Sequence, residues 1–220
     1  MARLKQINFG LLANAKDFLR QAVESLAWKD TGDDHSRLKH AISDVANAIE
    51  LLLKEKLRQK NPALIWEKQA PQPGSHVHTV TAKTAISRLN MNGVNLLEED
   101  CVFLESLRTT RNQIAHYEWA ASEPDARDLL GHALSFAFAF GKDQLGTDLS
   151  QDFKQDDTWR VLVHDMHPFV RAYGSRIQAR LNRQGKHPVC CDTCGELTVP
   201  ASTGYCELCG GRQEADEHDL

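Results

Sequence analysis

The chain has 220 residues, 41% of them hydrophobic and 25% charged, a balance that fills one ordinary domain plus a small appendage. Lys and Arg number 26 against 30 Asp and Glu, a formal net charge of −4, so the whole molecule does not attract nucleic acid and any such contact needs a local patch. No apolar run approaches the ~18 residues of a membrane span, and Met1 to Gln6 lack the apolar core of a signal peptide; a cytoplasmic protein with no membrane contact is expected.

Apolar residues at helical spacing, Phe9, Leu12, Ala15, Phe18, Leu19 and Ala22, predict a first helix over 9–28. Thr31 to Asp34 breaks it. A second helix is predicted over 36–58, with Leu38, Ile42, Val45, Ile49, Leu52, Leu53 and Leu57 as its apolar stripe and basic residues crowding its last turns. Asn61-Pro62 ends that helix, and Trp66 to His78, with two prolines and Gly74, reads as a loop. A short helix follows over 81–89, then a turn at 90–95 around Gly93.

The fourth helix is predicted from Glu98 to about Trp119. Ser122, with Pro124 just inside and Asp125 three residues on, caps a fifth that runs to Phe140. Gly141 to Asp157 is acidic and polar, a linker between bodies or a loop over one. A sixth helix is expected over 158–183. With no period-2 strand before residue 195, the body reads as all-α, an up-and-down helical bundle.

The candidate site lies in the fourth helix, in the run Arg111-Asn112-Gln113-Ile114-Ala115-His116. On a wheel of about 100° per residue, Phe103, Leu107, Thr110, Ile114 and Tyr117 are assigned to the core. Arg108, Arg111, Asn112, Ala115, His116 and Trp119 are assigned to the opposite face. An imidazole titrates near neutral pH and can move the 2′-hydroxyl proton of RNA or protonate the leaving oxygen. A guanidinium can hold the scissile phosphate and stabilise its developing charge. One helix supplies one such set. A two-fold dimer would supply two, with small Ala115 letting the facing helices approach.

Arg111-Asn112-x-x-x-His116 resembles the R-x4-H signature of HEPN domains, and the stretch from Leu38 to Leu57 resembles the helix that precedes that signature. The resemblance covers about residues 9–140. It implies a homodimeric helical bundle with a composite, metal-independent endoribonuclease site at the dimer interface. Arg111 and His116 would be catalytic, Asn112 supporting, and Arg108, Trp119 and Glu50 would contact the RNA. The expected setting is that of a toxin or defence effector restrained by an antitoxin or a larger defence-system protein. Where some HEPN toxins carry a modifiable tyrosine, two residues after the histidine, this chain has Glu118. The alternative within the family is a non-catalytic module that binds a nucleotide or scaffolds a complex.

Five of the six cysteines cluster at the C-terminal end. Cys191-Asp-Thr-Cys194 and Cys206-Glu-Leu-Cys209 are two C-x2-C knuckles, each followed by glycine, the spacing of a zinc ribbon. Four thiolates leave zinc no open position, so the expected role is structural. Cys190 is set aside in favour of Cys191 because only Cys191 keeps the two-residue spacer. Between the knuckles, Leu197 to Val199 is expected as a strand.

Trp159 to Pro188 carries Arg160, Arg171, Arg176, Arg180, Arg183 and Lys186 against the single acid Asp165. It reads either as an arm for an RNA backbone or as a helix paired with the acidic stretch before it. The organisation expected is a HEPN-like bundle over 1–145, the acidic linker and basic helix over 146–187, the zinc ribbon over 188–214 and an acidic tail over 215–220.

Overall fold

The computed structural model describes residues 9–27, 34–68, 78–154 and 157–213. The described residues are mostly helical, with one small two-stranded sheet among them near the C-terminal end. Residues 31–33 of the predicted break, residues 69–77 of the loop before His78 and the acidic tail over 215–220 lie outside the described residues, while Asp34, expected in the break, already opens a helix.

Helix α1 (Leu11–Ala27) packs along α2 (Asp34–Lys60), whose predicted stripe is buried from Leu38 through Leu57. Asn61 stops α2 and caps a short 3-10 turn (Pro62–Ile65) by accepting the Ala63 backbone N–H. Thr81 caps α3 (Ala82–Met91) in the same manner, and α4 (Glu98–His116) follows. Ser122 caps α5 (Glu123–Leu145), with Pro124 in its first turn, and Gly146 ends it in the left-handed conformation that glycine adopts without strain.

Helix α5 packs against both α2 and α8 (His167–Arg183), and twelve of its residues are buried. Gly131 permits the second contact, because a Cβ there would stand 2.6 Å from the backbone nitrogen of Phe169. Phe138, Trp159, Phe169 and Tyr173 form an aromatic cluster in which Phe138 lies 5.2–5.9 Å from each of the other three rings.

The single sixth helix expected over 158–183 is instead two, α7 (Asp157–Asp165) and α8, with Met166 out of helical conformation between them. Pro168 is the cause: its ring would collide with the carbonyl four residues back, so it sits in the first turn of a new helix. The described part of the stretch from Gly141 to Asp157 lies over the body and is not a spacer. Its first residues continue α5, a four-residue helix α6 (Gln151–Lys154) lies within it, and Leu149 and Phe153 are buried in the common core.

The C-terminal sheet pairs β1 (Pro188–Cys190) antiparallel with β2 (Leu197–Pro200). β2 is the expected strand. β1 was not expected, since a three-residue strand is too short to show an alternating pattern.

Candidate functional site

Asp100, Leu104 and Leu107 are the buried residues of α4, and their spacing of four then three leads next to Arg111. Arg111 therefore does not oppose the core. It continues the inward stripe to the edge of a cleft between α2 and α4. The cavity there is about 270 Å³, and Ile49, Glu50, Leu53, Leu104, Arg108 and Arg111 are among its walls, with Asn112 beside them.

The Arg111 guanidinium donates to Asn47 on α2 at 3.1 Å and to Asn112 at 3.3 Å, two neutral amides that aim the cation without cancelling it. Glu50 accepts from Lys54 at 2.6 Å, and Lys54 also reaches Thr79 at 3.0 Å. Arg108 grips Glu105 through two hydrogen bonds of 2.6 and 3.0 Å, which hold the Glu105 carboxyl below its ordinary range. Of the two arginines on the cleft wall, Arg111 is held by amides and Arg108 is paired with an acid.

Four of the residues singled out from the sequence, Glu50, Arg108, Arg111 and Asn112, meet around this cavity. Two do not. His116 is the last residue of α4 and is exposed, its ring beside that of Tyr117. Five residues at about 100° each carry it roughly 140° around the helix from Arg111, so the shared face expected for the pair is not one face of one chain. Trp119 is half-buried beyond the helix end and lines a separate cavity between the starts of α2 and α5, with His35, Lys39 and Glu123.

Tyr117, assigned to the core by the wheel, is 79% exposed, because the chain leaves helical geometry there (φ −140°, ψ −172°) and the wheel no longer applies. Asn47 was missed altogether. Its signal was available: it stands three residues before Glu50, on the same face of α2.

The second constellation is the cysteine centre. The sulfurs of Cys191, Cys194, Cys206 and Cys209 all lie within 4.8 Å of one another, with Cys191–Cys209 at 3.6 Å and Cys194–Cys206 at 3.7 Å. Tetrahedral bonds of about 2.3 Å from one ion to four sulfurs imply edges of about 3.8 Å, so the spacing suits a metal ion and is too wide for disulfides. Cys190 stays outside, exposed, with its sulfur directed at the Gly195 carbonyl.

The backbone N–H of Cys209 and the hydroxyl of Thr198 point at the Cys206 sulfur, at 3.3 and 3.0 Å, and the Gly211 N–H points at Cys209. Hydrogen bonds from the neighbouring thiols, Cys194 first, and from these donors push the Cys206 thiol far down, while the Cys194 thiol that shares its proton goes up. Four crowded sulfurs cannot all be thiolates without a cation among them.

The second knuckle is inserted into the helical body. Leu208 is 0% exposed and its carbonyl accepts from the Trp159 indole at 2.9 Å. Lys154 donates to the Glu207 carbonyl at 3.1 Å, and the Glu207 carboxylate takes Lys142 at 2.8 Å and Arg180 at 2.6 Å. Burial alone would raise the Glu207 carboxyl, but these cations hold it below its ordinary value.

Among the described residues no helix is long and apolar enough to cross a membrane. Comparison with protein-family models, with curated proteins and with solved structures gave no match.

Proposed function

We propose that the chain is an endoribonuclease of HEPN type, working as a homodimer whose composite site pools two Arg111–His116 sets. One observation carries the reading: Arg111 is aimed into the α2–α4 cleft by Asn47 and Asn112, beside Glu50, and among the described residues it pairs with no carboxylate. An arginine held by amides keeps its full charge for a phosphate.

In the proposed reaction the RNA 2′-oxygen attacks the adjacent phosphorus while one His116 imidazole takes its proton. The bond from phosphorus to the 5′-oxygen breaks, and a second imidazole protonates that oxygen. The products are a 2′,3′-cyclic phosphate and a 5′-hydroxyl. Arg111 stabilises the charge on the phosphoryl oxygens. The outward placement of His116 on its own chain supports the need for a second copy.

Zinc is the ion we propose for the four cysteines, with a structural role, since four sulfur ligands fill its coordination. The biological setting proposed is a toxin or defence effector held in check by an antitoxin or a larger defence-system protein.

The test is cleavage of transfer RNA and messenger RNA by the purified protein with EDTA in the assay. Arg111→Ala and His116→Ala should each lower cleavage by at least about 100-fold; full activity in either variant sinks the assignment. A second reading, a HEPN module that binds a nucleotide or scaffolds a complex without cutting, is favoured by the absence of His116 from the Arg111 cavity within one chain. It expects nucleotide binding sensitive to Arg111→Ala and indifferent to His116→Ala, and no growth arrest on expression.

A further inference from the structure

A groove distinct from the Arg111 cleft runs between the C-terminal turns of α5 and α8. The residues before α4 border it, as does Glu207 of the second knuckle. Its cavity, about 750 Å³, falls within the ~300–1,000 Å³ of ordinary ligand sites. Five cations line it, Lys142, Arg176, Arg180, Arg183 and Lys186, against three carboxylates, Asp100, Asp143 and Glu207. That leaves two positive charges in excess on a molecule whose formal charge is −4.

Basic residues near helix C-termini have an ordinary explanation, compensation of the helix dipole, and magnitudes decide how far it goes. The ends of α5 and α8 each bring about half a negative charge, and the start of α4 about half a positive one. The helix ends therefore cancel only about half a unit of the excess.

The individual partners point the same way. Arg176 is consumed by Asp100, with contacts of 2.5 and 3.3 Å. Arg180 is only partly satisfied: it is 6% exposed and its Nη2 serves Glu207, but its buried Nη1 makes no hydrogen bond. An Asp143 carboxylate oxygen stands 3.5 Å from that Nη1, close enough for attraction but outside hydrogen-bond geometry. Arg183 is 70% exposed and 3.8 Å from the same Asp143. Lys186 pairs with no acid among the described residues. The floor includes Phe136, Ala139 and Phe140, apolar groups that lower the local dielectric and strengthen any charge contact above them.

We propose that this groove binds the phosphate backbone of a nucleic-acid strand, the exposed Arg183 and Lys186 being the donors that meet the phosphates while the buried Arg180 adds its charge from beneath them. Arg183 is the last residue of α8 and Lys186 follows beyond the helix end, so the two offer separate, successive phosphate contacts, which fits a strand better than a mononucleotide. The site stands independently of cleavage: none of its residues lines the Arg111 cleft.

The experiment uses the full chain and a fluorescent single-stranded RNA with 2′-O-methyl groups throughout. Such RNA has no 2′-hydroxyl to attack phosphorus, so binding is read apart from any nuclease activity. Fluorescence anisotropy is followed across a salt series. Neutralising the two exposed cations (Arg183→Gln with Lys186→Gln) should weaken binding roughly tenfold at low salt and lower the slope of log affinity against log salt by about 1.4, two phosphate contacts on a single strand. Asp143→Asn, which removes the carboxylate opposing Arg180 and Arg183, should tighten binding several-fold.

Unchanged affinity and slope in the double variant overturn the proposal. So does displacement of the RNA by equimolar mononucleotide or inorganic phosphate, which would assign the groove to a small phosphate ligand. Loss of cleavage in Arg111→Ala with the groove effects intact would separate this site from the nuclease reading.

Discussion

Arg180 and Arg111 are both helix-borne arginines facing a crevice, and they are treated in opposite ways. Arg180 is buried at the seam between the helical body and the cysteine knuckle, with Glu207 and Asp143 on either side of it. Arg111 sits half-buried at the mouth of a cleft, held by two neutral amides. At the first place charge opposes charge and binds two parts of the chain together. At the second it is oriented and left available. Removing a buried pair's partner strands the remaining charge, which is costly; removing a half-exposed cation from amides strands nothing charged. The seam should therefore govern stability and the cleft chemistry.

The largest expected effect comes from the cysteines. Cys194→Ser with Cys209→Ser should lose one metal ion per chain and, because Leu208 and Glu207 lie inside the body, destabilise the whole fold by more than about 4 kcal/mol. That corresponds to a melting temperature lower by roughly 8–16 °C. Metal analysis and a thermal scan check it. An unchanged melting temperature would mean that the knuckle only rests on the helices.

Next comes Leu208→Ala, a cavity at the centre of the seam, expected to cost about 2–5 kcal/mol in denaturant unfolding. A cost under about 1 kcal/mol would show that the site collapses freely and that the insertion is loose.

A smaller effect is expected from pH. Burial tends to raise the Asp148 carboxyl, but the Ser150 hydroxyl, Lys154 and Lys142 outweigh it and hold the carboxyl below its ordinary 3.8. A group whose folded value is depressed adds stability above its unfolded value, and that stability is lost as pH falls through the folded one. Asp148→Asn should therefore shrink the drop in stability below about pH 4 and leave its shape elsewhere unchanged. Identical acid profiles for the two proteins would remove Asp148 from the seam's account.

The smallest stability effect belongs to the cleft. Arg111→Ala should shift unfolding by less than about 0.5 kcal/mol while cleavage is lost. A large destabilisation would erase the contrast between seam and cleft and make Arg111 a second seam.

The cysteine knuckles were readable because their chemistry is local. Two residues between cysteines set two sulfurs on one turn wherever the turn sits, and the structure brings the same four together. Ser122, Pro124 and Asp125 were readable for the same reason, since a cap is satisfied within four residues. The break at Met166 was written in Pro168 and was passed over, because the apolar pattern runs on through it. The basic stretch divides in a way that its composition does not show. Arg176 and Arg180 are engaged by Asp100 on α4, Asp143 on α5 and Glu207 in the knuckle, while Arg183 and Lys186 remain exposed.

By itself, then, the sequence determined the helical periods, the Ser122 cap, the four-cysteine centre and the presence of an arginine, an amide and a histidine on α4. Only the tertiary structure decided which of those charges are spent. Arg111 finds Asn47 across 64 residues of chain and Arg176 finds Asp100 across 76, and no local pattern encodes such pairs. Helix α4 also ends at His116, and the change to extended backbone at Tyr117 turns that ring to solvent. Periodicity reports which side of a helix is apolar. What lies against that side is decided by packing.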